Sequence, residues 1–245
     1  MSMKTALKMT ALAAAISATA VPMTAAAEVS GSLGIANTYL WRGMDLSAGG
    51  AQVHGSLDYA HSTGLYTGVW GSSEAGKTEY DLYAGFAGEA GSLSYDIAYV
   101  DYNYPNYVDD NDPTDTGVDF QEVIIGLGFA GVSLTSAIGV GDVGHDRHTT
   151  DASLNKDNYF NLSYTYDKFT AAVGTYDKDA DESNYSHVDL TYALNDSLSF
   201  TASKVVASDD CVANGTFDAN MTCTATTNSD TPDDTLFVVS YSFPL

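Results

Sequence analysis

Apolar side chains recur at every second position along most of this chain. In the last eleven residues, 235–245, the apolar positions are Phe237, Val239, Tyr241, Phe243 and Leu245. The intervening positions are small and mostly polar. Because a β-strand sends successive side chains to opposite faces, this segment has one wholly apolar face. Strands with lipid on one face and a polar lumen on the other have this pattern in closed outer-membrane barrels.

The two-residue period divides the chain into twelve predicted strands, whose connections alternate between tight turns and longer polar loops. The predicted tight turns are 61–64, 88–91, 130–131, 167–168 and 195–197, and the predicted loops are 44–50, 74–77, 105–117, 142–157, 177–184 and 207–234. Short periplasmic turns, long outer loops and an even strand number are typical of outer-membrane barrels with both termini on the periplasmic side. A soluble β-sandwich also has alternating strands, but it explains neither the terminal strand nor the short–long alternation. We therefore expect an all-β, antiparallel up-and-down transmembrane barrel.

The first strand carries an additional expectation. Its apolar positions run from Val29 to Tyr39 and Trp41. Aromatic residues gather where barrel strands meet the lipid headgroups. We expect Tyr39 and Trp41 to end this strand within such a girdle.

The N-terminus has the order of a secretory signal peptide. Lys4 and Lys8 precede a charge-free apolar run at 9–21, which is followed by Pro22 and a small-residue site at 25–27. This order predicts cleavage after Ala27. Residues 1–27 would then be the signal peptide, and residues 28–245 the barrel domain in the outer membrane of a Gram-negative bacterium.

The charge balance and the cysteines limit the partners and the compartment. Cleavage removes two of the nine basic residues and none of the 32 acidic ones, so nucleic acid is not an expected partner. The expected partners are outer-membrane lipid and lipopolysaccharide, the barrel-assembly machinery, and small hydrophilic solutes or ions. Cys211 and Cys223 lie in one polar loop of an exported chain. We predict a disulfide between them, worth about 3 kcal/mol on loop-entropy grounds.

The inward positions of the predicted strands carry most of the candidate site residues. The predicted pore-lining residues are Arg42, His54, Asp58, Glu79, Asp81, Asp96, Glu122, His187 and Asp189. Acidic rings favour cations in pores, so the excess of carboxylates predicts a cation preference. Alternatively, some of these groups only pair, and for Arg42 we favour pairing with Glu79 or Asp81. Lys204 faces outward and is expected to extend its ammonium group to the outer rim.

Two loop motifs resemble metal sites only superficially. The 145–148 segment, His-Asp-Arg-His, lacks a convincing set of ligands. Asp177, Asp179 and Asp181 have the spacing that begins a calcium loop, but the glycine and the closing glutamate of that loop are missing. We expect no metal or cofactor.

Several motifs of the first half of the chain resemble a known family. They are Thr38-Tyr39-Leu40-Trp41-Arg42-Gly43-Met44-Asp45-Leu46-Ser47, Val53-His54-Gly55-Ser56-Leu57-Asp58-Tyr59, Gly64-Leu65-Tyr66-Thr67-Gly68-Val69-Trp70, Tyr80-Asp81-Leu82-Tyr83-Ala84-Gly85 and Tyr95-Asp96-Ile97-Ala98-Tyr99. As a set they resemble the TorF porin family of Gram-negative bacteria, over roughly residues 28–129. The resemblance implies an outer-membrane barrel and a passive pore. The chain departs from the usual outer-membrane ending because Pro244-Leu245 replaces a terminal aromatic residue.

Three functions are compatible with these patterns. The first is a channel for passive diffusion of small hydrophilic solutes, which is not an enzyme. The second is an outer-membrane hydrolase, since His187 and Asp189 share one inward face. The third is a closed structural or adhesive barrel with acidic surface loops. The barrel and its polar lumen favour the channel.

Overall fold

The computed structural model describes residues 27–74, 77–105, 119–140, 157–178, 184–208 and 234–244. Its strands are β1 (Glu28–Ala36), β2 (Leu40–Trp41), β3 (Met44–Asp45), β4 (Gln52–Ala60), β5 (Leu65–Glu74), β6 (Lys77–Ala90), β7 (Leu93–Asn103), β8 (Phe120–Phe129), β9 (Val132–Val140), β10 (Asn158–Tyr166), β11 (Phe169–Asp177), β12 (Tyr185–Ala193), β13 (Leu198–Ser208) and β14 (Leu236–Pro244). These ranges contain no helix of sufficient length and hydropathy to cross a membrane. The predicted signal peptide up to residue 26, both cysteines and the 145–148 motif lie outside the described residues.

Twelve of these strands close into one antiparallel barrel. Each of them pairs with its sequence neighbour in the barrel, and β1 closes the circle by pairing with β14 on one side and β4 on the other. The predicted all-β up-and-down barrel is therefore confirmed. Closure leaves no sheet edge, so the backbone of these strands is hydrogen-bonded all the way round.

The outer face of the barrel is an apolar band. Large apolar side chains alternate along every barrel strand and remain 37% exposed at Phe86 to 73% exposed at Tyr166. Aromatic side chains meet near the tight turns, with ring centroids 5.0 Å apart for Phe169 and Tyr192. A continuous apolar band of this kind is the surface that a transmembrane barrel presents to lipid.

The two ends of the barrel differ in their connections. Tight turns at 61–64, 91–92, 130–131, 167–168 and 194–197 lie at one end, which we call the short-turn end. The opposite ends of the barrel strands form what we call the loop end. Ala130 and Gly131 have φ angles of 50° and 85°, as two-residue hairpin turns require. The turn predicted at 88–91 lies later, because pairing of Ala90 with Leu93 extends the ladder to residue 90.

The structure corrects the prediction for Tyr39 and Trp41. β1 ends at Ala36, and residues 37–50 fold into the barrel from the loop end; we call them the inserted segment. Tyr39 is 1% exposed inside the barrel instead of lying in an outer girdle. The prediction was wrong because an alternating pattern continues unchanged into β2, where the chain has already left the wall.

Candidate functional site in the barrel interior

The inserted segment is a compact hairpin with its own hydrogen bonds. β2 pairs with β3 through a turn at Arg42 and Gly43, whose φ angles are 49° and 86°. The Asp45 carboxylate accepts hydrogen bonds from Thr38 Oγ1 at 2.6 Å, from the backbone N–H of Ser47 at 2.8 Å and from that of Gly49 at 2.7 Å. Burial raises the pKa of Asp45, but these hydrogen bonds outweigh it and hold the pKa below its usual value.

The tip of the hairpin carries Arg42, which pairs with Glu122 on β8. Nη1 lies 2.7 Å from Oε1 and Nη2 lies 2.5 Å from Oε2. The guanidinium carbon is 4.3 Å from the ring centroid of Trp41 and 4.6 Å from that of Tyr159. Burial alone would lower the pKa of Arg42, but the Glu122 carboxylate more than compensates and raises it. The charge is thus held by a bidentate partner and aromatic faces.

The predicted partners of Arg42 were wrong. Glu79 and Asp81 were expected from strand parity, but the partner is Glu122. Arg42 lies on the inserted segment and not on the barrel wall, so strand parity does not determine which wall residue it reaches.

Beside Arg42, the hairpin tip rests on His187 of β12. A Cβ atom placed on Gly43 would lie 2.5 Å from Cγ of the His187 ring, so only glycine fits against it. His187 Nε2 is 2.9 Å from the Tyr159 hydroxyl, and Nδ1 is 3.1 Å from Oδ1 of Asp189. The ring is 1% exposed. Because the ring is buried and the hairpin tip covers one of its faces, a substrate has no access to it in this arrangement, which disfavours the hydrolase hypothesis.

Two further carboxylates lie towards the loop end of β6. Glu79 accepts hydrogen bonds from the hydroxyls of Tyr39 and Tyr104, at 2.7 and 2.9 Å. Asp81 is 3% exposed, and its Oδ1 has no hydrogen-bond partner among the described residues. The inserted segment therefore reaches the acidic wall through Tyr39 as well as Arg42.

The remaining wall carboxylates, Asp58 and Asp96, lie nearer the short-turn end and are held by tyrosines. The Tyr66 hydroxyl lies 3.0 and 2.9 Å from the two oxygens of Asp96, and Tyr83 donates to Asp58. Each tyrosine ring crosses a glycine on the neighbouring strand. A Cβ on Gly68 would lie 2.4 Å from the Tyr83 hydroxyl oxygen.

The structure thus places the nine predicted site residues in two settings. Eight of them are on barrel strands and face the interior, namely His54, Asp58, Glu79, Asp81, Asp96, Glu122, His187 and Asp189. Arg42 is on the inserted segment. His54 stacks on Trp70, with ring centroids 5.9 Å apart. That these residues line a solute path stays a prediction.

Sequence reasoning missed the tyrosines that hold the wall carboxylates and His187. Tyr66, Tyr83, Tyr102 and Tyr159 fall on the inward parity, which was visible in the sequence, but only charged residues were counted there. Tyr102 donates to Glu122 at 3.0 Å. In the part of the chain that the structure describes, no three His, Cys, Asp or Glu side chains are grouped to hold a metal ion.

Comparison with known proteins gives a family match and distant likenesses to solved structures. The model of the Gcw_chp family, described as a bacterial protein of unknown function, matches residues 20–243. No curated protein matches the chain by sequence. OccAB4 of Acinetobacter baumannii is similar in structure, with a TM-score of 0.41 and 10% identity over 86% of this chain and 57% of OccAB4. A double mutant of the Rh. blastica porin has a TM-score of 0.30 and 9% identity, over 89% of this chain and all of the porin.

This chain spans little more than half the length of OccAB4. The family match covers the whole barrel but does not itself point to the TorF family, so that resemblance stays an interpretation of the sequence motifs.

Proposed function

We propose that this chain, which belongs to the bacterial Gcw_chp family of unknown function, is an outer-membrane channel for passive diffusion of small hydrophilic solutes and prefers cations. One observation carries the proposal: a closed barrel with an apolar outer band holds an interior wall rich in carboxylates. A structural barrel needs no such wall, since burying charge is costly.

The hydrogen bonds of these carboxylates support the cation preference. The Arg42 charge is opposed by Glu122 at 2.5 Å. Asp58 and Asp96 accept hydrogen bonds from phenols, which do not cancel a negative charge. We expect those wall carboxylates that are ionised to give the lumen a negative potential, which low-dielectric walls focus along it.

The outer face supports an outer-membrane location, with lipid and lipopolysaccharide against the apolar band. The short-turn end would face the periplasm and the loop end the exterior, as in other bacterial barrels. The inserted segment would then enter from the outside. Assembly would require the barrel-assembly machinery, as expected from the sequence.

Reversal potentials in planar bilayers test the proposal. In a salt gradient the wild type should show a cation preference that weakens at high salt, because the Debye length falls from about 10 Å at 0.1 M to about 3 Å at 1 M. The double variant Asp58→Asn/Asp96→Asn should lower the preference. Asp167→Asn, in an exposed tight turn, is the matched control and should leave it unchanged. An anion-selective channel would reject the charge assignment.

The inserted segment favours one other function, a closed structural barrel. It fills part of the interior at the loop end with Tyr39, Leu40 and Arg42, which are each at most 5% exposed. A folded barrel that gives no current steps under any voltage or salt condition would support this alternative over the channel.

A further inference from the structure

The wall alone does not close the barrel interior. On β9–β14 the inward positions nearer the short-turn end carry short side chains: Ser133, Thr135, Ala137, Ser163, Thr165, Thr170, Ala172, Thr191, Ser199, Thr201, Ser203, Ser240 and Ser242. Towards the loop end the inward positions carry larger side chains: Tyr159, Tyr176, Tyr185, His187 and Val205. Side chains just fill the interior of an eight-stranded barrel, and the diameter grows with strand number. Short side chains on one side of a twelve-stranded wall therefore do not reach across the interior. The inserted segment lies in the interior at the loop end, against Tyr159, Tyr176 and His187.

We propose that the inserted segment, residues 37–50, is the gate of this channel, seated on His187 by Gly43 and on Glu122 by Arg42. We call these two contacts, Gly43 on His187 and Arg42 with Glu122, the seat of the segment. Ions pass when the segment leaves this seat. This inference rests on the proposed channel function and adds the element that controls the same lumen.

The hydrogen bonding of the segment permits such a movement. The barrel strands are joined by continuous backbone ladders, whereas the described backbone bonds of 38–50 run within the segment, such as Leu46 N–H to the Tyr39 carbonyl at 2.9 Å. The segment contacts the wall through side chains and rings. Asn37 marks the boundary, because its side-chain amide and carbonyl bond the backbone of Phe237 and Val239 on β14. Everything after Asn37 can move without breaking the barrel ladder.

The backbone of the segment is also strained. Arg42 and Ala48 both have a φ of 49°, in the left-handed region that residues with a Cβ rarely adopt. Such conformations persist only where surrounding contacts impose them, and they concentrate at functional and switching segments. At Arg42 the two-residue turn between β2 and β3 requires this φ.

Two glycines of the segment offer a matched pair of variants. Gly43 and Gly49 have φ angles of 86° and 78°, so a Cβ strains the backbone similarly at both positions. A Cβ on Gly43 meets the His187 ring at 2.5 Å, whereas a Cβ on Gly49 meets nothing within 4 Å. Gly43→Ala should unseat the segment, and Gly49→Ala should not.

The position of the segment is measured with a thiol introduced by Leu40→Cys, in a background with Cys211→Ser and Cys223→Ser. Leu40 is 5% exposed and packs with Ala36 and Val238, so Leu40→Cys should react slowly with a charged methanethiosulfonate reagent. We expect at least a tenfold faster reaction in Gly43→Ala than in Gly49→Ala, together with a higher open probability in bilayers. A heat-modifiable shift on gels establishes that each barrel is folded.

A second background tests whether His187 is the seat. In His187→Ala the clash partner is gone, so adding Gly43→Ala should change the labelling rate by less than twofold. If Gly43→Ala increased the labelling rate equally in both backgrounds, backbone strain alone would explain the increase. That result would overturn the contact with His187 as the seat.

Labelling and current separate the possible failures. Unchanged labelling in Gly43→Ala rejects the gate. Faster labelling with unchanged conduction, in a wild type that conducts, shows a movable segment that is not the barrier and also rejects the gate. Faster labelling with no current in any variant rejects the channel function itself and the gate with it.

Discussion

Arg42 and Glu122 form a bidentate ion pair inside the barrel, although 80 residues separate them and only Glu122 lies on the wall. The two N–O distances are 2.7 and 2.5 Å, and the side chains are 3% and 1% exposed. This pair joins the inserted segment to β8 at a point where neither charge meets water. The stability of the segment should therefore depend on both charges being present.

Glu122→Gln should unseat the inserted segment. Removing one partner of a buried pair leaves an uncompensated charge and costs about 3–5 kcal/mol, which the segment can avoid by moving Arg42 into water. With Trp70→Phe as background, Trp41 emission should shift to the red and acrylamide quenching should increase. The double variant Arg42→Met/Glu122→Gln removes both charges and should restore much of the burial of Trp41. If Glu122→Gln left Trp41 unchanged, the pair would not hold the segment.

Gly68→Ala should destabilise the barrel itself. Its Cβ would lie 2.4 Å from the Tyr83 hydroxyl, which donates to Asp58, so the ring must move and the hydrogen bond is lost. Overpacking of this kind costs about 1–3 kcal/mol. Gly71→Ala is the control on the same strand, because its Cβ finds its nearest contact at an ordinary 3.5 Å. Urea unfolding in lipid vesicles measures the free energies, and equal values for the two variants would contradict the prediction.

Asp189→Asn should reduce the cation preference of the open channel. Asp189 lies in the middle of β12 on the inward face and is 19% exposed, so it contributes to the potential near the centre of the wall. The zero-current potential in a salt gradient should move towards zero. Asp189→Glu keeps the charge and should retain the wild-type value. Equal potentials in all three proteins would mean that Asp189 does not face the ion path.

Acidification should loosen the inserted segment through Asp45. Its hydrogen bonds lower the pKa in the folded segment below the value of 3.8 that it has when free. The stabilisation is therefore fully present above about pH 4 and is lost as the pH falls through the lowered pKa. Trp41 emission, followed from pH 6 to pH 2 in the Trp70→Phe background, should show a transition in this range. Asp45→Asn should remove that transition, and its persistence would assign it to another carboxyl group.

Cys211 and Cys223 should be bonded to each other in the exported protein. They lie outside the described residues, so this stays a prediction from the sequence and from the oxidising compartment. Thiol labelling of denatured, non-reduced protein should modify neither cysteine, and both should react after reduction. Two reactive thiols without reduction would contradict the bond.

Local sequence patterns predicted the wall well. The outward residues of β14, such as Phe237 and Val239, were assigned correctly because lipid and lumen alternate strictly along each strand. The turns at Ala130-Gly131 and Asp167-Lys168 were also located, since chain reversal in two residues has clear residue preferences. The turn after β6 was misplaced because Gly88 still pairs within the ladder, opposite Tyr95.

The sequence by itself determined the strand number, the closed barrel and the inward position of the carboxylates on its wall. Those features depend on a two-residue period, which is a local property of each segment. Only the tertiary structure decided that residues 37–50 turn inside, that Arg42 meets Glu122 and that Gly43 rests on His187. These contacts join residues that are 80 and 144 positions apart. A short alternating segment can continue the wall or fold inside it, and the choice depends on the space that twelve closed strands enclose.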